Sequence, residues 1–299
     1  MKYEETQIRE AARRIRLIAI DMDGTCLSTQ KEFTPRTRRA VQALIDRGYI
    51  VVPSTGRSFR GLVEQVLGLQ GVRYVISADG AFVTDCVSGD PLWKQTIPCS
   101  LAAEIVDELL SEGNCTYFNR DDWECTHIMA CTSREFYRRH FWRPGFTKPE
   151  EVITESLGKH ILMEGRDVPK LGVFFTRPDG FEFYEPLLAG KYPEVSYFRA
   201  DKNLLEVTAG NTSKGKALRH LAESLGISRE EICAFGDNGN DIEMLEYAGL
   251  GIAMGNAIPS LLERADFVTG TNDEEGVACF LERFLGGRVT NFEKNRQKS

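Results

Sequence analysis

The chain has 299 residues, 42% apolar and 27% charged, the balance of a soluble globular protein with one large or two modest domains. A net charge of −7 with no dense basic stretch argues against nucleic acid or an anionic membrane as partner. No apolar run approaches the roughly 20 residues of a membrane span. The polar residues 1–14 do not read as a signal peptide, and eight cysteines without a Cys-x-x-Cys pair argue against zinc or a disulfide framework and point to a reducing cytosol.

Residues 1–14 read as a frayed or helical extension. Residues 15–20 are an apolar run, Arg16 apart, that predicts a short buried strand ending in Asp21-Met22-Asp23-Gly24-Thr25-Cys26-Leu27. Thr34-Pro35 opens a helix, with threonine as N-cap and proline at the first helical position, and Gly48 closes it. Residues 49–53 predict a second strand, running into Ser54-Thr55-Gly56-Arg57. A helix to about Leu69 and a strand over 73–77, ending in Ala78-Asp79-Gly80-Ala81, complete a β-α-β-α-β pattern of parallel strands with right-handed crossovers. Over about 87–203 the pattern changes. Helices are predicted at 100–111 and 132–142, strands at 116–119, 171–176 and 195–198, and all three tryptophans (Trp93, Trp123, Trp142) fall here, which reads as an inserted α+β domain. From about Leu204 the alternation returns: strand 204–208, a helix capped by Asn211-Thr212-Ser213, and strand 232–235 ending in Gly236-Asp237-Asn238-Gly239-Asn240-Asp241. A helix, strand 250–253, helix 258–264, strand 267–269 and helix 273–285 follow.

Paired acids just past a strand end suit a divalent metal and a reacting phosphate, because open parallel sheets bind ligands outside the carboxyl ends of their strands. Hydrolysis of a phosphate monoester through a carboxylate nucleophile also needs a general acid, a cation between carboxylate and phosphate, and donors for the phosphoryl oxygens. Asp21 is placed to attack, and strand alternation would point Asp23 the same way, to protonate the leaving oxygen and later activate water. Thr55 and Gly56 offer a hydroxyl and an accessible N–H. Lys214 stands at a helix start, where a cation is disfavoured unless an anion binds there. Asp237 and Asp241 flank a Gly/Asn turn of the kind that suits Mg2+. Taken alone, each stretch has a plainer reading: a turn, a strand-to-helix connection, a solvated surface lysine, a helix N-cap at Asp237 or Asn240. Their common position at strand ends and helix starts makes one site of them. Cys26, beside the acids, reads as a small buried apolar residue.

Asp21-Met22-Asp23-Gly24-Thr25, Ser54-Thr55-Gly56-Arg57, Lys214-Gly215-Lys216-Ala217-Leu218 and Gly236-Asp237-Asn238-Gly239-Asn240-Asp241 together resemble the haloacid dehalogenase superfamily, in particular its Cof-type sugar-phosphatase-like branch. The resemblance implies an α/β fold, a Rossmann-like doubly wound parallel-sheet core over 15–86 and 204–299 with an inserted α+β cap domain of C2 type over 87–203. It implies Asp21 as nucleophile and metal ligand, and Asp23 as general acid/base that also binds metal through its backbone carbonyl. The Met22 backbone, Thr55, Gly56, Lys214 and Asn240 would hold the phosphate and Asp237 would hold Mg2+, with Asp241 supporting the metal site. Asp79 departs from the asparagine common at its position and adds negative charge near the site or the hinge; harmless turn chemistry is its plainer reading.

The function expected is a Mg2+-dependent cytoplasmic phosphatase for small phosphorylated metabolites, sugar phosphates among them, working as a monomer or small homo-oligomer. A phosphotransferase or mutase of the same superfamily, or a non-catalytic metal-binding relative, are the alternatives. The cap would choose the leaving group, with His127, Trp142, Arg143 and Arg199 as conceivable contacts, although an ordinary surface or core role is the plainer reading of each.

Overall fold

The computed structural model describes residues 3–59, 61–62, 68–110, 115–119, 127–130, 152–153, 156–175 and 177–286. Its strands in chain order are β1 (Leu17–Asp21), β2 (Ile50–Ser54), β3 (Tyr74–Ser77), β4 (Phe82–Asp85), β5 (Pro91–Lys94), β6 (Cys115–Asn119), β7 (His127–Ala130), β8 (Val152–Ile153), β9 (Lys170–Phe174), β10 (Val195–Asp201), β11 (Leu204–Ala209), β12 (Ile232–Gly236), β13 (Leu250–Ala253) and β14 (Phe267–Val268). The chain divides into two compact units, Met1–Arg57 with Leu62–Trp93 and Ser213–Ser299, and Ser58–Gly61 with Lys94–Thr212.

The first unit carries a sheet of order β14-β13-β12-β1-β2-β3-β4-β5 among the described residues. β1 lies parallel to both β2 and β12, with Leu17 opposite Ile50 on one side and Ile232 on the other. All five residues of β1 are buried, which explains why its sequence is continuously apolar rather than alternating: a central parallel strand has no solvent face. Successive strands run outward from β1 through β2 and β3, and from β12 through β13 and β14. The sequence order therefore reverses between β1 and β12, and that switch point is where such sheets bind ligands.

The flanking helices follow their caps. Helix Pro35–Asp46 starts at Thr34, whose side chain accepts from Thr37 N–H, and buries Val41 and Leu44. Helix Lys214–Ser224 starts at Ser213, whose hydroxyl accepts from Lys216 N–H at 3.1 Å, and buries Ala217, Leu218, Leu221 and Ala222 in the same cluster as Leu17, Ala19 and Val52. Each of those leucines contributes about 1.5–3 kcal/mol by leaving water. The extension at the N-terminus is the helix Glu5–Ala12, which buries Ile8, Ala11 and Ala12. Two strands of this unit were not foreseen, nor were β7 and β8 of the other. β4 pairs antiparallel with β3, and β5 is a mostly exposed edge strand opening on a proline, so neither shows the alternation that marks a strand in sequence.

The second unit is α+β. Its sheet has the order β10-β11-β9-β6-β7-β8 among the described residues, antiparallel except for β7 with β8. Leu171 and Val173 of β9 and Leu205 and Val207 of β11 alternate onto one face, where they pack with Ile105, Leu109, Ile161, Tyr184 and Leu188 of helices Cys99–Leu110, Leu157–Glu164 and Gly180–Lys191. β11 was expected to open the return to the parallel core at residue 204; instead it forms a hairpin with β10 and belongs to this sheet. Only Lys202 and Asn203 separate the two strands, a connection too short for a crossover and right for an antiparallel turn. The first unit's alternation resumes at Ser213, and on the other side it extends through Trp93 rather than ending at residue 86. Helix Gly180–Lys191 escaped the sequence reading because Pro186 and two glycines interrupt its pattern. The predicted helix 132–142, with Trp123, Trp142 and Arg143, lies outside the described residues.

Candidate active site

β1, β2 and β12 deliver their last residues to one place. Asp21 ends β1 opposite Ser54 of β2, and the turn after β12 carries Asp237 to Asp241. Asp21, Asp237 and Asp241 each bring one carboxylate oxygen within 4.8 Å of the others. Lys214, the first residue of its helix, is 1% exposed and points into this group, with Nζ at 2.6 Å from Asp21 Oδ1 and 2.7 Å from Asp241 Oδ1. The solvated-lysine reading is thereby excluded. Burial alone would lower the Lys214 pKa, but Asp21, Asp241 and Asp79 outweigh it and hold the ammonium firmly charged.

Asp241 is fully buried and serves twice. Its Oδ1 accepts from Lys214, and its Oδ2 accepts from the backbone N–H groups of Asp237 and Asn238 at 3.0 and 3.1 Å. The cap expected at Asp237 or Asn240 falls instead on Asn238, whose side chain accepts from Gly239 N–H at 2.8 Å, with Asp241 completing the capping box while it also belongs to the acidic site. Thr25 donates its hydroxyl to Asp237 Oδ1 at 2.8 Å, tying the β1 turn to the β12 turn. Between them Gly24 has φ +88°, and a Cβ there would run into the Asp237 carboxylate. That position is glycine because both the backbone and the close approach demand it.

Asp21 Oδ2 is buried and meets no hydrogen-bond donor. Burial pushes the Asp21 carboxyl well above its ordinary value, and the Asp241 charge adds to this while Lys214 pulls it back. Burial, then Asp241, pushes Asp237 up to about 6. One lysine thus faces three carboxylates, with Asp79 near enough to act on it as a fourth. Three carboxylates with oxygens this close, all hard ligands, fit a divalent cation of the Mg2+ or Ca2+ kind better than soft or nitrogen-seeking metals.

Asp23 stands outside that group. The turn begins at Met22, so strand alternation no longer governs the direction of Asp23, and its carboxylate lies in a fork of Arg57: Nε to Oδ2 and Nη2 to Oδ1, both 2.6 Å. Lys31 Nζ is 2.9 Å from Oδ1. Burial raises the Asp23 carboxyl, but Arg57 and then Lys31 overcome this and hold it below the usual carboxylate range. The shared orientation expected of Asp21 and Asp23 is therefore replaced by separate ion pairs.

Among the expected phosphate contacts, Thr55 is buried, with its hydroxyl oxygen accepting from Arg57 N–H at 3.1 Å. Gly56 is close-packed on Asp79, whose Oδ1 would lie 2.9 Å from a Cβ there. Met22 is buried, and its carbonyl accepts from Leu27 N–H at 2.9 Å. Asn240 donates its amide to Asp79 Oδ1 at 2.8 Å. Asp79 itself is buried with φ +56°, a left-handed conformation that Asp and Asn tolerate better than most residues. Cys26 is buried and its thiol is pushed up to about 12 by burial and then by Asp21, so it acts as a small apolar residue.

Two asparagines were missed. Asn256 donates to Gly24 C=O at 2.8 Å, and Asn272 donates to Leu27 C=O at 3.0 Å while its N–H reaches Asn256 Oδ1 at 2.9 Å. They brace the acidic turn from loops distant in sequence, and no local pattern announces them. In the second unit, Arg199 pairs with Glu182 at 3.0 Å and covers the Phe181 ring, an ordinary surface arrangement.

Residues 18–281 match the family model of haloacid dehalogenase-like hydrolases. A putative phosphatase of Haemophilus influenzae is 30% identical over 266 residues, covering 88% of this chain and 95% of its own. An HMP-PP phosphatase of Serratia proteamaculans is 32% identical over 288 residues, covering 90% and 95%. Among solved structures, a haloacid dehalogenase-like hydrolase from B. subtilis superposes with a TM-score of 0.76 at 29% identity, over 90% of this chain and 99% of that one.

Proposed function

The chain belongs to the haloacid dehalogenase-like hydrolases, and we propose that it is a Mg2+-dependent phosphatase of small phosphorylated metabolites that works through an aspartyl-phosphate on Asp21. The observation that carries this is the asymmetry of the Asp21 carboxylate. Its Oδ1 is fixed by the Lys214 ammonium, and its Oδ2, buried and without a donor, is left as the nucleophilic oxygen.

Asp21, Asp237 and Asp241 would hold the cation, which when bound offsets the negative charge that otherwise repels a phosphate dianion. In the first step Asp21 Oδ2 bonds to phosphorus as the bond from phosphorus to the leaving oxygen breaks. Asp23, which the Arg57 and Lys31 ion pair holds as a carboxylate, gives that oxygen a proton once it has left the pair and become protonated. In the second step Asp23 takes a proton from water, the water oxygen bonds to phosphorus, and the Asp21 carboxylate is released with inorganic phosphate. Lys214 steadies Asp21 and offers positive charge to the phosphoryl oxygens. The Thr55 hydroxyl, the Gly56 and Met22 backbone and the Asn240 amide are assigned to the same oxygens. The second unit is read as the cap domain that chooses the leaving group.

The relatives' names support this class of substrate, one being a phosphatase of HMP-PP. Among the described residues no helix is long and apolar enough to cross a membrane, and Cys26, Cys86, Cys99, Cys233 and Cys279 are free thiols, which suits a cytoplasmic enzyme. The test is phosphate release from a panel of sugar phosphates, nucleotides and an aryl phosphate. Release that chelator abolishes and Mg2+ restores is the expected result. Transfer to added alcohols in place of release to water would overturn it in favour of a phosphotransferase.

A further inference from the structure

Two cations from different loops meet on one carboxylate beside the site. Arg57, after β2, occupies both oxygens of Asp23 with its guanidinium fork, and Lys31, after β1, adds its ammonium at 2.9 Å. Two cations thus share one carboxylate, and all three side chains are open to solvent: Arg57, Lys31 and Asp23 keep 32%, 55% and 31% of their exposure.

Lys31 is held there against its backbone preference. Its φ is +63°, in a region that long side chains rarely adopt and that a turn must enforce. The turn does so through Lys31 N–H to Ser28 C=O at 2.8 Å, Ser28 N–H to Glu32 C=O at 3.0 Å and Glu32 N–H to Ser28 Oγ at 3.2 Å. Asp273 clamps its tip through the N–H and hydroxyl of Thr29 at 2.8 and 2.7 Å. A lysine kept for solubility needs no such scaffold. Nor does Asp23 need it, because a bidentate guanidinium already satisfies a carboxylate.

While both its oxygens lie in that fork, Asp23 is not free to face a leaving oxygen. An oxyanion on the substrate would compete for the same fork and the same ammonium, and would release it. We propose that Arg57 and Lys31 form a subsite for a second oxyanion, a carboxylate or phosphate on the leaving-group side of the substrate, whose arrival displaces Asp23 from the ion pair. This rests on the phosphatase reading for its catalytic consequence. The favoured substrates are then phosphate monoesters whose alcohol carries another anionic group.

Two arms test it. In the first, kcat/KM is compared for propyl phosphate and 3-carboxypropyl phosphate. The wild-type protein prefers the second by about tenfold, the worth of one charge-assisted hydrogen bond. Lys31→Ala and Arg57→Gln bring the two within about twofold, whereas Lys31→Arg keeps the preference. In the second arm, calorimetry compares 3-phosphonopropanoate with propylphosphonate, neither of which can be hydrolysed. The same preference and the same dependence on Lys31 are expected in binding. Turnover of both substrates without preference, or a binding preference that Lys31→Ala leaves untouched, overturns the subsite and leaves the phosphatase standing. Preferential, Lys31-dependent binding without any phosphate release supports the subsite and overturns the phosphatase.

Discussion

Replacing Lys214 with methionine removes a charge from the most crowded point of the molecule while keeping most of the side-chain volume. At 2.6 and 2.7 Å, each of its contacts with Asp21 and Asp241 corresponds to about 6 kcal/mol of Coulomb attraction at an effective dielectric of about 20. Burying the three charged groups cancels much of this, at several kcal/mol per ion, so the intact cluster is worth far less than the sum. Deleting one partner is a different matter, since it strands two buried carboxylates. The expected loss is about 3–5 kcal/mol of unfolding free energy. It should be largest in chelator at pH 7–8 and smaller toward pH 5, where the stranded Asp21 carboxyl, already raised, takes up a proton. Guanidinium unfolding at constant m-value measures it. Added Mg2+ should return part of the loss, because a cation would neutralise the same oxygens, while kcat/KM stays down by about 10²–10³ for want of the donor. A loss below about 1 kcal/mol in chelator at pH 7–8 would refute the view that this lysine holds the cluster together.

Asp21→Asn keeps the shape of the side chain and relieves carboxylate crowding, so the fold should persist with an unchanged or higher Tm while turnover falls by at least about 10³-fold. Near-normal phosphate release from that variant would remove Asp21 as nucleophile. In chelator, the wild-type protein should lose stability as the pH rises. The carboxyls of Asp21 and Asp237 are raised on folding, so their contribution is full below about 4, the unfolded value, and is lost as the pH passes through the folded value, about 6 for Asp237. Mg2+ should flatten that slope, and a metal-free Tm that climbs from pH 4 to 7 would contradict the assignment. Gly24→Ala should cost about 1–3 kcal/mol in guanidinium unfolding, since it places a Cβ at φ +88° against the Asp237 carboxylate; a neutral result would mean the turn has room the structure does not show.

How far the sequence reached depended on whether a feature was local. The N-caps at Thr34 and Ser213 and the buried runs of β1 and β12 are written in adjacent residues, and the structure contains each of them. Asp21, Lys214, Asp237 and Asp241 were legible because each lies at a strand end or helix start, and a parallel sheet gathers such ends. Features fixed by pairing were not legible. β11 reads equally well as the first strand of a returning βα alternation, and only its hydrogen bonds with β10 and β9 decide otherwise. The braces Asn256 and Asn272 act on backbone carbonyls more than 200 positions away, which no spacing rule can find. Asp23 was assigned the direction of Asp21 on strand geometry two residues past the strand's last residue.

Two groups of charged side chains flank the β1 turn, one rich in carboxylates and one that brings two cations together. The buried set gathers Asp21, Asp237 and Asp241 around the single cation Lys214, and on the proposed function a divalent cation there would let it accept a phosphoryl group. The open set places two cations, Arg57 and Lys31, on the one carboxylate of Asp23, and in the proposed subsite these cations take the second oxyanion. Met22 is the single residue between Asp21 and Asp23, so a molecule that engages one set is within reach of the other. A substrate neutral beyond its phosphate would satisfy the first and leave the second closed on itself. A substrate with a second oxyanion satisfies both, and so favours the release of Asp23 at the moment Asp21 is engaged. Selection among phosphate esters would then begin at the catalytic turn itself.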